Sequence, residues 1–180
     1  AMEEVPRHRF APPSLLGEAH SDWPLPIGLG QTLSQPYIVA FMAEALELGE
    51  DDRVLEVGAG SGYAAAVLAR IAREVWAMEL EAALGRAAEA RLAELGISNV
   101  RFRVGDGALG WPEAAPFDAI LLSCAALSVP PALWEQLAPG GRLLLPIGST
   151  FGPQDLVLYR KDQGLDQGEP LLPVRFVPLR

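Results

Sequence analysis

An α/β fold, doubly wound around a mostly parallel sheet of about seven strands with an antiparallel edge, is predicted by three observations. From Arg53 onward, short runs rich in Val and Leu alternate with helical patterns. The run Asp118–Ser123 is apolar almost throughout, as a strand covered on both faces should be. The last two apolar runs flank a polar turn at Asp162–Gly168, which reads as an antiparallel pair at the sheet's edge.

The elements follow in order. Residues 1–34 are rich in Pro and Gly without a long period, so they read as a cover segment and substrate loop with at most one short helix near Ser14–Ala19. Ala1 ahead of Met2 reads as a residue left by tag removal. Ile38, Phe41, Met42, Ala45 and Leu46 recur at helical spacing after Pro36, with Ser34 placed as N-cap and Gly49 as the stop. Strand Arg53–Val57, helix Tyr63–Ala72, strand Val75–Leu80, helix Glu81–Leu95 ended by Gly96, and strand Val100–Val104 come next. After Asp118–Ser123, Pro130–Leu137 reads as a proline-opened helix and Ala138–Gly141 as the turn into strand Arg142–Ile147. Leu156–Arg160 and Val174–Leu179 are the final strands. The 180 residues are expected to form one domain, with 35–180 as its core.

Composition removes several function classes. A chain of this size buries roughly 70% of its unfolded surface and needs neither disulfide nor metal to make a core. Cys124 is the one cysteine, and the two histidines, His8 and His20, both precede the sheet, so no metal site is expected. No apolar run is long enough to span a bilayer, and a net charge of −9 repels polyanions, so neither membrane nor nucleic acid is an expected partner. A cytoplasmic monomer is the expectation.

Strand Val54–Val57 runs directly into Gly58-Ala59-Gly60-Ser61-Gly62-Tyr63 and then into a helix, the context a nucleotide-binding glycine turn requires. The third glycine of a dinucleotide fingerprint would fall at position 63, which is tyrosine, and this disfavours a nicotinamide oxidoreductase. The G-x-G-x-G pattern resembles the first motif of class I S-adenosylmethionine-dependent methyltransferases, a Rossmann-like class. Gly58, Gly60, Ser61 and Gly62 are then cofactor residues, with a Cβ at Gly58 or Gly60 standing where the cofactor lies. Glu79 closes the second strand, where its carboxylate can accept both ribose hydroxyls, with Leu80 beside it. Asp106-Gly107 follows the third strand, at the position that holds the adenine amino group in that class.

The segment Leu25-Pro26-Ile27-Gly28-Leu29-Gly30-Gln31-Thr32-Leu33-Ser34-Gln35-Pro36-Tyr37 closely resembles the signature of protein-L-isoaspartate O-methyltransferases. Val5–Phe10, Gly105–Gly107, Ala115–Ile120, Pro139–Leu143 and Arg175–Leu179 resemble that family too, in family order. The resemblance implies methyl transfer from S-adenosylmethionine, leaving S-adenosylhomocysteine, to the free α-carboxylate of L-isoaspartyl residues in damaged proteins or peptides. It implies Ser34 as the catalytic residue, Thr32 and Leu33 as cofactor contacts, and Ile27, Gly28, Thr32, Ser34 and Ser123 around the substrate. Two departures touch the acceptor side: almost nothing precedes Val5-Pro6-Arg7, and Ser123-Cys124-Ala125-Ala126-Leu127-Ser128-Val129-Pro130 replaces the family's usual Thr-Ala-Ala-Ala-Pro-Glu-Ile-Pro. A small-molecule carboxyl methyltransferase and a catalytically weak cofactor-binding module are the alternatives. Cys124 reads as a small buried hydrophobe rather than a nucleophile.

An isoaspartyl carboxylate with a pKa near 4 is ionised at pH 7 and is already a nucleophile, so no general base is needed. Catalysis reduces to holding its oxygen about 3 Å from a methyl group and in line with the breaking bond. The Ser34 hydroxyl and the amides at the first helix's N-terminus are the expected holders.

Overall fold

The structure is a computed structural model and describes residues 1–180. A hairpin of β1 (Leu25–Gly28) and β2 (Gln31–Leu33) precedes α1 (Pro36–Ala45). The core then runs β3 (Arg53–Val57), α2 (Tyr63–Leu68), β4 (Glu74–Glu79), α3 (Ala82–Glu94), β5 (Val100–Val104), β6 (Phe117–Leu122), α4 (Pro131–Gln136), β7 (Leu137–Gly148), β8 (Gln154–Arg160) and β9 (Glu169–Val174). The seven-stranded sheet has the order β5-β4-β3-β6-β7-β8-β9. Pairings from β5 to β7 are parallel, and β8 and β9 add antiparallel edge strands. The chain builds outward from β3 to β5 and then returns to place β6 on the other side of β3. A topological switch therefore opens a crevice between the carboxyl ends of β3 and β6.

Both sheet faces are covered, which is why the central strands are apolar on alternate and successive positions alike. Val54 joins one core with α1, α2 and the cover segment, while Leu55 and Val57 join a second with Phe117 and Leu133 of α4. Glu56 shares the parity of Val54 and so points under α2, fully buried. No helix is long and apolar enough to cross a membrane.

The cover segment is more ordered than expected. It contains 3₁₀ turns at Met2–Glu4, Arg7–Phe10 and Pro13–Glu18, then the unforeseen hairpin. That hairpin turns through Gly28, Leu29 and Gly30, all at positive φ, a reversal too short to show as a strand period. Arg7, 3% exposed, holds the segment together. Its guanidinium donates to the carbonyls of Ala19, of Trp23 at 3.1 Å and of Ser34 at 3.0 Å.

Four further boundaries differ from the sequence reading. The N-cap of α1 is Gln35 rather than Ser34, and the helix ends before Gly49 because Glu47 takes the left-handed conformation, φ 48°. Helix α2 stops at Leu68 and finishes in turns. Strand β7 starts at Leu137, so Pro139-Gly140-Gly141 forms a bulge: pairing jumps from Phe117↔Leu137 to Ala119↔Arg142. The last strand is Glu169–Val174, not Val174–Leu179; Pro170 and Pro173 obscured it, and an edge strand tolerates both. Residues beyond it turn back over the crevice, where Ala125 N–H donates to Val177 and Leu179 N–H donates to Ala125, each at 2.8 Å.

Candidate active site

A cleft of about 530 Å³ occupies the crevice. The glycine turn and the end of β4 form its floor through Gly58, Gly60, Met78, Glu79 and Leu80. Gln31 and Thr32 of the hairpin close one side, and Val177–Arg180 close the other. A second hollow of about 290 Å³ adjoins it, lined by Thr32, Leu33, Ser34, Glu56, Ser61 and Tyr63 among others. Thr32, Gly58 and Ser123 border both, so the two spaces meet at the end of β3.

The turn is strapped to β4. Gly58 and Ala59 N–H donate to the Met78 carbonyl at 2.9 and 3.0 Å, and Gly60 N–H donates to Glu79 Oε2 at 2.8 Å. Glu79 Oε1 accepts from Glu81 N–H at 2.9 Å. Each oxygen therefore holds one backbone amide and keeps a lone pair for a hydroxyl donor in the cleft. Gly58 and Gly62 sit at φ 82° and 85°, where a side chain is strained. Added Cβ atoms would meet Cys124 Sγ at 3.2 Å and Ala88 Cβ at 3.2 Å respectively. The glycines thus answer to backbone conformation and close protein packing, a Cβ at Gly58 or Gly60 meeting Cys124 or Ile27 of the protein itself. Gly62 lines neither space; it lets α2 approach α3.

Glu56 is the residue the sequence reading missed. Its Oε1 accepts from Ser123 Oγ at 3.0 Å. Its Oε2 is buried and makes no hydrogen bond, while the nearby Ala65 amide of α2 favours the ionised carboxylate. Burial pushes this carboxyl up to about 7, with the Ser123 bond opposing and the charge of Glu79 adding to the rise. An acid inside the apolar run Val54-Leu55-Glu56-Val57 was the available signal, because a buried carboxylate needs a partner. An orphaned acceptor bordering the hollow beside the glycine turn suits a ligand carrying a cationic amine.

Ser34 is half-buried, and its hydroxyl bonds to no protein group. Released from capping, Ser34 is one of the residues that line the hollow. The helix end is less free than expected: Pro36 has no N–H, and Tyr37 N–H already donates to Asp22 Oδ1 at 2.9 Å. Gln35 Nε2 donates to Asp22 Oδ2 at 3.1 Å, so the acid from the cover segment does the capping. An anion at this site would rest on the Ser34 hydroxyl rather than on those amides.

The remaining predicted residues divide. Gly107 lines the cleft, and a Cβ there would meet Val57 Cγ1 at 2.3 Å. Asp106 is exposed, is not part of the lining and accepts from Ala108 N–H at 2.9 Å. Ile27 Cδ1 lies 3.3 Å from where a Gly60 Cβ would be, so the hairpin rests on the turn, whereas Gly28 is exposed at its tip. Cys124 is 5% exposed, and burial pushes its thiol up to about 12, with Glu79 and Glu56 adding. It holds no useful thiolate at neutral pH.

The sequence model of the family described as protein-L-isoaspartate(D-aspartate) O-methyltransferase matches residues 1–180. A protein-L-isoaspartate O-methyltransferase of Anaeromyxobacter dehalogenans strain 2CP-C is 59% identical over 99% of this chain and 87% of its own length. One from Methylorubrum extorquens strain PA1 is 59% identical over 99% of this chain and 78% of its own. Among solved structures, a protein-L-isoaspartate O-methyltransferase superposes with TM-score 0.86 at 32% identity, covering 97% of this chain and 58% of that one. A Plasmodium falciparum homologue, solved in complex with S-adenosyl-L-homocysteine, gives TM-score 0.85 at 25% identity, covering 99% and 87%.

Proposed function

The chain belongs to the protein-L-isoaspartate(D-aspartate) O-methyltransferase family, and we infer from this that it methylates the free α-carboxylate of L-isoaspartyl residues in damaged proteins. The cofactor is S-adenosylmethionine. The site observation that supports the reading best is the uncommitted Ser34 hydroxyl on a hollow that joins the glycine-turn cleft through Thr32, Gly58 and Ser123.

Bound S-adenosylmethionine supplies an electrophilic methyl group on a sulfonium centre. Glu79 would hold the ribose hydroxyls, the orphaned Glu56 Oε2 the α-ammonium, and Gly107 with Leu80 would border the base. Ser34 Oγ would donate to one oxygen of the acceptor carboxylate and leave the other free to attack. Thr32, which borders both spaces, and the half-buried Ile27 would keep water off the reacting oxygen. No group on the protein has to take a proton, so the lack of a histidine at the site costs nothing. The acceptor anion approaches a protein of net charge −9, but carboxylates beyond about 8–10 Å are screened at physiological salt.

The reading extends to one domain spanning 1–180 that works as a cytoplasmic monomer apart from nucleic acid and membranes, supported by the acidic net charge and by the use of a single cysteine, which leaves the fold independent of any internal disulfide. Labelled S-adenosylmethionine and a peptide pair differing only in Asp versus isoAsp test the activity. Label on the isoAsp peptide alone is expected; label on neither, despite tight cofactor binding, would mean an inert module. The cofactor map has its own test. Glu79→Ala is expected to weaken S-adenosylhomocysteine binding at least tenfold, because it removes both a ribose acceptor and the strap on Gly60. Asp106→Ala should weaken it less, since that carboxylate is exposed. Calorimetric affinities unchanged in both variants would remove the map.

A further inference from the structure

A third space lies outside the two already described. It is a groove of about 680 Å³ that opens from Thr32 and Ser34 and runs between Pro24, Gln35 and Ile38 on one side and Pro173–Phe176 on the other. Arg175 is the one charged residue in its lining, in a chain whose acids outnumber its basic residues 23 to 14. Asp22, the acid that caps α1, already accepts from Gln35 and Tyr37. Arg142 and Arg180 pair with Asp52 and Glu81, whereas Arg175 is exposed and makes no ion pair or hydrogen bond.

The backbone beside Arg175 is anchored more firmly than a surface loop needs. Gln154, 2% exposed, accepts from Phe176 N–H at 2.7 Å and donates through Nε2 to the Phe176 carbonyl at 3.1 Å. Both backbone groups of the next residue are thus held by one buried amide, and register pairing of Gln154 with Val174 fixes the residue before it. The base of the Arg175 side chain is therefore set on the groove wall, while its guanidinium remains free. Preorganising the stem lowers the ordering cost of an ion pair made there.

Resting on the function inferred above, we propose that Arg175 is a specificity-determining residue: it favours isoaspartyl substrates that carry an acidic side chain close to the damaged residue. Arg175 borders the groove but not the hollow under Ser34, so it reaches a flanking residue rather than the reacting carboxylate. A lysine at the same place in the substrate meets like charge and is disfavoured.

The test compares three N-acetylated, C-terminally amidated isoAsp peptides whose flanking residues are Glu, Gln or Lys, so that side chains supply the only difference in charge. Each protein is characterised by the ratio of its kcat/KM values across the set, which does not depend on how much of a variant is folded. The native protein is expected to prefer the Glu over the Lys peptide about threefold to fivefold at low salt, as befits an exposed pair, and to lose most of that preference at high salt. Arg175→Gln should flatten the ratio and Arg175→Glu should invert it. Equal ratios in the native protein and both variants would overturn the proposal. Failure to methylate even the Gln peptide above its Asp counterpart would instead overturn the function on which it rests.

Discussion

Ser34→Ala is expected to cut turnover of an isoAsp peptide by ten- to a hundredfold while leaving S-adenosylhomocysteine affinity within a few-fold. The magnitude follows from losing one hydrogen bond to a charged acceptor, about 1.5–3 kcal/mol, where each 1.4 kcal/mol is a factor of ten. Two structural facts separate this from a folding effect. The hydroxyl has no protein partner to lose, and the helix it precedes is capped by Asp22 instead. Stability should therefore change by no more than about 0.5 kcal/mol. If Ser34 were only a helix cap, the variant would lose stability of about 1 kcal/mol and keep its turnover. Denaturant titration and steady-state kinetics on the same preparation distinguish the two outcomes.

Much of the sheet was legible because a buried parallel strand leaves a dense local signal. Arg53–Val57 and Val100–Val104 are the strands predicted, and the glycine turn lies between strand and helix as its context required. The elements that escaped are those whose information is not local. The Leu25–Leu33 hairpin depends on three consecutive positive-φ residues and on packing of Ile27 over Gly60. Strand Glu169–Val174 carries two prolines that only its edge position allows, a property fixed by sheet order rather than by the segment itself.

The site shows the same division. Gly58, Gly60, Glu79, Gly107, Thr32 and Ser34 can be found because each belongs to a short motif at a strand end or helix start, and all six line the joined spaces. The C-terminal wall Val177–Arg180 could not be placed from the sequence, since residues read as a strand instead recross the crevice to Ala125. Asp22 as the helix cap was equally hidden: its partners lie across the hairpin, beyond any local spacing rule.

Glu56→Gln is expected to weaken S-adenosylhomocysteine binding at least tenfold near pH 7.5 and to abolish a pH dependence expected of the native protein. The direction can be worked out from the carboxyl's rise from 4.5 to about 7, caused first by burial. Between those values the folded, ligand-free protein binds a proton that the unfolded chain has released. Its stability therefore falls as pH rises through the window, by about 1.4 kcal/mol per unit and on the order of 3 kcal/mol in all. Glutamine carries no such penalty, so the ligand-free variant should be the more stable of the two at pH 8 and not at pH 4. A cationic amine against Oε2 reverses the preference, because an opposite charge in contact favours the ionised carboxylate. Ligand binding at pH 6 should then release protons, and affinity should climb from about pH 5.5 to 7.5 before levelling. Calorimetry in two buffers of different ionisation enthalpy measures the release directly. Equal proton release in native protein and Glu56→Gln would take Glu56 out of the cofactor site, because no other group on the lining has a resolved shift toward neutrality.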